Sequence, residues 1–136
     1  MDEVKARLSG PARHLQGVQI ETRDAVQQLK DRFPGRSHCV VSDWVWLDLK
    51  APEEVLQGIR DQGQEPVMIL GFKVLYDSLD QDIDTSWVRT QPMVEFVDSK
   101  FFVTRNTVYF LVGDGQRRLM ELSTVLRVFR SVGMPG

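Results

Sequence analysis

The chain has 136 residues, 42% hydrophobic and 26% charged, with ten Gly and six Pro, the balance of an ordinary soluble domain. No apolar run nears the roughly 20 residues that span a bilayer, and Met1-Asp2-Glu3 opens with acid where a signal peptide carries base, so a cytoplasmic chain with no membrane contact is expected. A net charge of -2 argues against a broadly basic surface, and one Cys with two His excludes an internal disulfide or a Cys/His structural zinc set.

In chain order, Val4 and Leu8 share a helical face before Ser9-Gly10-Pro11 interrupts. Residues 1–20, broken again at Gly17, read as a helical arm appended to a single domain over 1–136. From Thr22, an N-cap, the apolar Ala25, Val26, Leu29 and Phe33 recur at helical spacing, with Asp24 early and Lys30 and Arg32 late. A helix over about 22–33, stopped by Pro34-Gly35, follows. Cys39 to Leu49 is rich in β-branched and aromatic residues and predicts a strand, buried on both faces for part of its length and bent near Ser42-Asp43. Pro52-Glu53-Glu54 opens a second helix with Val55, Leu56 and Ile59 on one stripe, closed at Asp61-Gln62-Gly63.

Pro66 to Tyr76 predicts a long strand with a bulge at Gly71, and residues 77–85 an acidic loop. Trp87–Thr90 and Met93–Val97 are strands parted by Gln91-Pro92, whose missing amide predicts an edge or a bend. Such an edge would also let two copies pair as a homodimer. Asp98-Ser99-Lys100 is a turn, Phe101–Thr104 and Val108–Val112 form a hairpin around Arg105-Asn106-Thr107, and Gly113-Asp114-Gly115 is a further tight turn. Ser123 to Val132 carries Val125, Leu126, Val128, Phe129 and Val132 on one helical stripe. The class is α+β, a mainly antiparallel sheet of about five or six strands with two or three helices packed on one face.

Charge is blocked along the chain. Residues 1–50 carry 8 basic and 7 acidic side chains, 51–98 carry 3 and 10, and 99–136 carry 6 and 2, so the total conceals an acidic centre and a basic end. Twelve of the 17 basic residues are Arg, which favours planar, bidentate contacts.

Asp80, Asp82 and Asp84 match the opening of a calcium loop. Thr85 stands where that loop needs Gly and Gln91 where it needs a bidentate Glu, so a solvated acidic loop is expected instead. His38-Cys39 invites a thiolate nucleophile, but neighbours on a strand face opposite ways, which predicts a buried structural Cys39 beside a solvent-facing His38. Asp43 and Asp48, set among tryptophans, are carboxylates whose desolvation would suit acid–base work, against a structural role at the strand bend. No Gly-rich phosphate loop, G-x-S-x-G, H-E-x-x-H or C-x-x-C occurs, and no catalytic residue, metal ligand or cofactor is assigned. Trp87, Arg89, Arg105, Arg117 and Arg118, interleaved with Phe101, Phe102 and Tyr109, suit either stacking on single-stranded nucleic acid or a protein interface. Core aromatics and solvated arginines are the structural alternative.

The segments His38-Cys39-Val40-Val41-x-Asp43-Trp44-x-Trp46, Trp87-Val88-Arg89-Thr90, Phe102 to Tyr109 and Leu111-Val112-Gly113-x-Gly115-x-Arg117 resemble a family of small uncharacterised bacterial proteins. That family is a domain of unknown function found on chromosomes, plasmids and phage-derived elements. The resemblance covers about residues 36–118 and brings no catalytic residues with it. It implies a compact accessory protein of the bacterial cytoplasm, encoded on a mobile element. The expected function is a non-enzymatic protein-binding module, in one version an inhibitor of a host defence complex, with Asp80, Asp82 and Asp84 meeting a basic surface on the partner. The alternatives are a small regulator contacting nucleic acid through Arg89, Arg105, Arg117 and Arg118, and an enzyme using Asp43 or His38 with Cys39.

Overall fold

The computed structural model describes residues 11–79 and 87–129. The helical face of Val4 and Leu8, the three aspartates Asp80, Asp82 and Asp84, and Val132 lie outside the described residues. Among the described residues the chain forms eight strands and three helices, an α+β fold built on one curled, mixed sheet.

Two long strands carry the rest. β2 (Ser37–Lys50) and β3 (Val67–Asp77) run antiparallel from Cys39↔Asp77 to Asp48↔Val67. On its other side β2 pairs first with β7 (Thr107–Leu111) and then with β8 (Gly115–Glu121), both parallel. The expected sheet of five or six mainly antiparallel strands is corrected here, and the reason is Gly113-Asp114-Gly115. That segment is a jog between two lengths of one line beside β2, not a reversal, so both lengths keep the parallel direction. β1 (Arg13–Leu15) pairs antiparallel with β8. The predicted helical arm is therefore a strand at these residues: Pro11 and Gly17 leave too short a run for a helix, and β8 offers an edge.

β5 (Glu95–Val97), β6 (Phe101–Val103) and β7 form an antiparallel meander, and β4 (Val88–Arg89) pairs with β3. β4 and β5 are parts of one run on either side of Pro92. The amides of Thr90 and Met93 donate to Ile69 and Val67 on β3, and the amide of Val94 then donates to Val103. The run thus leaves β3 for β6, and the circuit β2, β3, β4 with β5, β6, β7 closes. Pro92 sits at the changeover, where a missing amide forfeits no ladder bond.

The closed circuit has an apolar interior that includes Cys39, Val41, Trp44, Ile69, Phe102 and Tyr109. On the outer side, α1 (Thr22–Arg32) lays Ala25 and Leu29 over Val40, Phe101 and Phe110. α3 (Leu122–Val128), with Phe129 after it, covers Leu47, Met68 and Leu70 through Val125. Each fully buried aromatic or aliphatic side chain contributes on the order of 1.5–3 kcal/mol, so these layers carry the fold. α2 (Glu53–Asp61) buries none of its residues fully.

The expected bend in β2 is real and has a specific effect. Cys39 and Val41 face the interior, and regular alternation would send Asp43 and Val45 after them. Trp44 and Trp46 pack there instead, while Val45, Leu47 and Leu49 face α3. Asp43 stands between the two registers at φ 51°, a left-handed conformation that short polar side chains tolerate. Both tryptophans are turned inward by that one residue.

Candidate functional site

The hydrogen-bonded path of the sheet runs β1, β8, β2, β7, β6, β5. Its two terminal strands border one open pocket of about 240 Å³, with Leu15 and Gln16 from the β1 end and Phe96 and Ser99 from the β5 end. Trp44, Trp46 and Arg117 complete the lining.

The walls are held from behind. Trp44 is only 5% exposed, and its indole Nε1 donates to the carbonyl of Gly113 at 3.0 Å. A Cβ on Gly115 would lie 2.4 Å from the Trp44 ring, so glycine is what lets the ring lie against β8. Trp46 meets Phe96 edge-on at 5.0 Å and Phe102 at 5.7 Å. The Arg117 guanidinium lies 5.6 Å from the Trp46 ring centre, within cation–π range. Asp48 fixes it by accepting from Nε at 2.6 Å and Nη2 at 2.9 Å, and one oxygen also accepts from Trp46 Nε1 at 3.3 Å. The Asp48 carboxylate pushes the Arg117 pKa up, chiefly through these hydrogen bonds, so the cation persists at all working pH. The result is an apolar, aromatic slot with one anchored cation on its wall.

Among the described residues of the expected partner-binding set, Arg117 alone lines this pocket. Trp87 packs edge-on against Phe129 at 6.0 Å, with the α3 cluster. Arg89 is half-buried, its pKa lowered by burial, with Nη1 3.5 Å from Met68 Sδ. Arg105 closes the end of α2, donating to the Gln62 carbonyl at 2.9 Å and to its side chain at 3.3 Å. Arg118 donates to Gln116 Oε1 at 3.1 Å. The four arginines are thus engaged with four different neighbours, Met68, Gln62, Asp48 and Gln116.

Cys39 is fully buried, and burial pushes its thiol pKa far up, which suppresses the thiolate. His38 was expected to face solvent and does not: it is 5% exposed, with Nε2 donating to the Phe33 carbonyl at 2.8 Å. The C-terminal end of α1 and the start of β2 converge there, and the polar ring joins the Arg36 amide in donating to the Phe33 carbonyl at the helix end. Asp43 is exposed at the bend, and Asp48 is committed to Arg117 and Trp46. Among the described residues no three His, Cys, Asp or Glu gather in an arrangement that would hold a metal ion. No helix among them is long and apolar enough to cross a membrane.

The pocket residues Leu15, Gln16, Trp44, Trp46, Phe96 and Ser99 were not singled out as a site from sequence. Trp44-x-Trp46 was the available signal, since alternation puts both rings on one face of a strand. Leu15 and Phe96 had none, because only the curl of the sheet brings them together.

A small α+β domain with a closed, mixed sheet and an aromatic pocket at the meeting of its two ends is the class this geometry defines. The chain belongs to the family described as Domain of unknown function (DUF6957), whose model matches residues 16–127, from the pocket edge at Gln16 into α3. No curated protein and no solved structure matches the chain.

Proposed function

We propose that the protein is a non-enzymatic binding module whose pocket receives a single apolar or aromatic side chain of a protein partner. The observation that carries the proposal is the set of Trp44, Trp46 and Phe96 around an open space, with Arg117 locked in place by Asp48. At about 240 Å³ the pocket falls below the roughly 300–1,000 Å³ of small-molecule sites, a size suited to one anchoring side chain. Aromatic residues and arginine are also the types that dominate binding hot spots. The family resemblance extends the proposal to a cytoplasmic accessory protein of bacteria, from a mobile element, with a host defence complex as partner.

Selection of a random decapeptide library on the immobilised full chain tests the pocket. Enriched peptides should share a large apolar or aromatic position and bind the Phe96→Ala variant at least tenfold more weakly. Phe96 is 37% exposed, so that variant keeps its fold. Absence of enrichment, or equal binding to Phe96→Ala, would sink the proposal. Capture from bacterial lysate with and without nuclease then separates protein partners from the nucleic-acid alternative.

A further inference from the structure

We infer that the partner segment is an extended, acidic strand that adds to the free edge of β1, with its anchor side chain in the pocket and a carboxylate two residues away on Arg13. The inference rests on the pocket reading above and specifies the chemistry of the partner.

Among the described residues β1 is the last strand of its path and pairs only with β8, and none of them places a strand along its other edge. Edges of this kind accept an added strand, with main-chain bonds giving affinity and alternate side chains giving specificity. Leu15 at the end of β1 lines the pocket. Arg13 is two residues earlier and therefore on the same face. The register agrees, because Arg13 lies directly across from Arg117, itself a pocket residue.

Like charges directly opposite one another on a sheet are destabilising unless neutralised. Arg117 has Asp48. Arg13 is exposed, and among the described residues no ion-pair partner stands beside it. One uncompensated cation therefore flanks the pocket, at the position that faces residue i±2 of a strand whose residue i enters the pocket. The recognised pattern is a large apolar or aromatic residue and an Asp or Glu separated by one residue, in either order, since the added strand may run in either direction. A peptide fits better than a nucleic acid because only a peptide completes the β1 ladder. The arginines Arg89, Arg105 and Arg118 that a phosphate backbone would follow are turned to other neighbours.

The decapeptide selection on the full chain tests this with Arg13→Glu, a change at an exposed side chain that leaves the core intact. Enriched peptides should show the apolar-x-acid or acid-x-apolar spacing. They should lose at least tenfold in affinity on Arg13→Glu and regain it when the acidic residue of the peptide is replaced by lysine. Bound peptide should also slow amide exchange along β1. Peptides that depend on Phe96 but ignore Arg13→Glu would overturn this inference and leave the pocket reading standing. Peptides that ignore both, or no enrichment at all, would remove both. Displacement of selected peptide by a twelve-residue oligothymidylate with full loss of the β1 protection would replace the peptide with single-stranded nucleic acid.

Discussion

Asp43 decides which way the tryptophans point through its left-handed backbone conformation. A β-branched residue cannot hold φ 51° cheaply, and the left-handed region costs most side chains about 1–2 kcal/mol. Asp43→Val should lower stability by at least about that amount in a denaturant titration. Gly115 makes a second single-residue demand. Its missing side chain leaves room for the Trp44 ring, so Gly115→Ala should cost about 1–3 kcal/mol by overpacking and raise the exposure of Trp44 to acrylamide quenching. Asp48 is the third. Asp48→Asn should cost only about 1 kcal/mol, because Arg117 is partly solvated, yet it should free the guanidinium from its fixed pose and weaken peptide binding more than it weakens the fold.

At the scale of elements, the helix at Thr22, the strands around Val40, Ile69 and Phe110 and the bend at Asp43 were readable from local pattern. They are long, strongly patterned or marked by a polar residue within an apolar run. β1 and β8 were not readable, for a different reason in each. Arg13-His14-Leu15 is three residues long and becomes a strand only because β8 lies beside it. In β8, Arg117 and Arg118 interrupt any apolar alternation, and Gly113 at φ 74° imitates a hairpin turn. The parallel partners of β2 are more than 65 residues away in sequence, so no local signal carries that pairing. The pocket inherits the same blindness, since Trp44 and Trp46 are local while Leu15 and Phe96 join them only through the curl. One turn was placed correctly with its chemistry unread: Asp98 and Ser99 both adopt positive φ, at 53° and 57°, the two-residue geometry that Asn-Gly serves best. Ser99→Gly should therefore raise stability by about 0.5–1 kcal/mol, measured as a shift of the denaturation midpoint.

For the whole molecule, the blocks of charge matter less than where they are neutralised. Arg32 pairs with Asp98 across α1 and the β5–β6 turn, Arg60 with Glu53 within α2, and Arg117 with Asp48 on the pocket wall, so each of the three blocks holds a cation that is already neutralised. The core imposes a pH dependence of its own. Burial raises the pKa of both Cys39 and Tyr109, so the folded state keeps protons that the unfolded chain releases above about pH 9. Stability from this source is full at neutral pH and falls as pH rises beyond the unfolded values, by up to about 1.4 kcal/mol per pH unit for each group. Chemical denaturation at pH 7, 9 and 10.5 should show that decline, and Cys39→Val should shrink it.

The claim on which everything else depends is that the pocket between β1 and β5 is where a partner binds. The three tryptophans divide the molecule for that purpose, with Trp44 and Trp46 at the pocket and Trp87 on the far cluster beside Phe129. A titration of the full chain with a selected decapeptide, followed through the indole N–H signals in a nitrogen-15 NMR spectrum, reads all three at once. The signals of Trp44 and Trp46 should shift and saturate with the binding curve while that of Trp87 stays in place. Binding that moves Trp87 alone, or none of the three, would contradict the account.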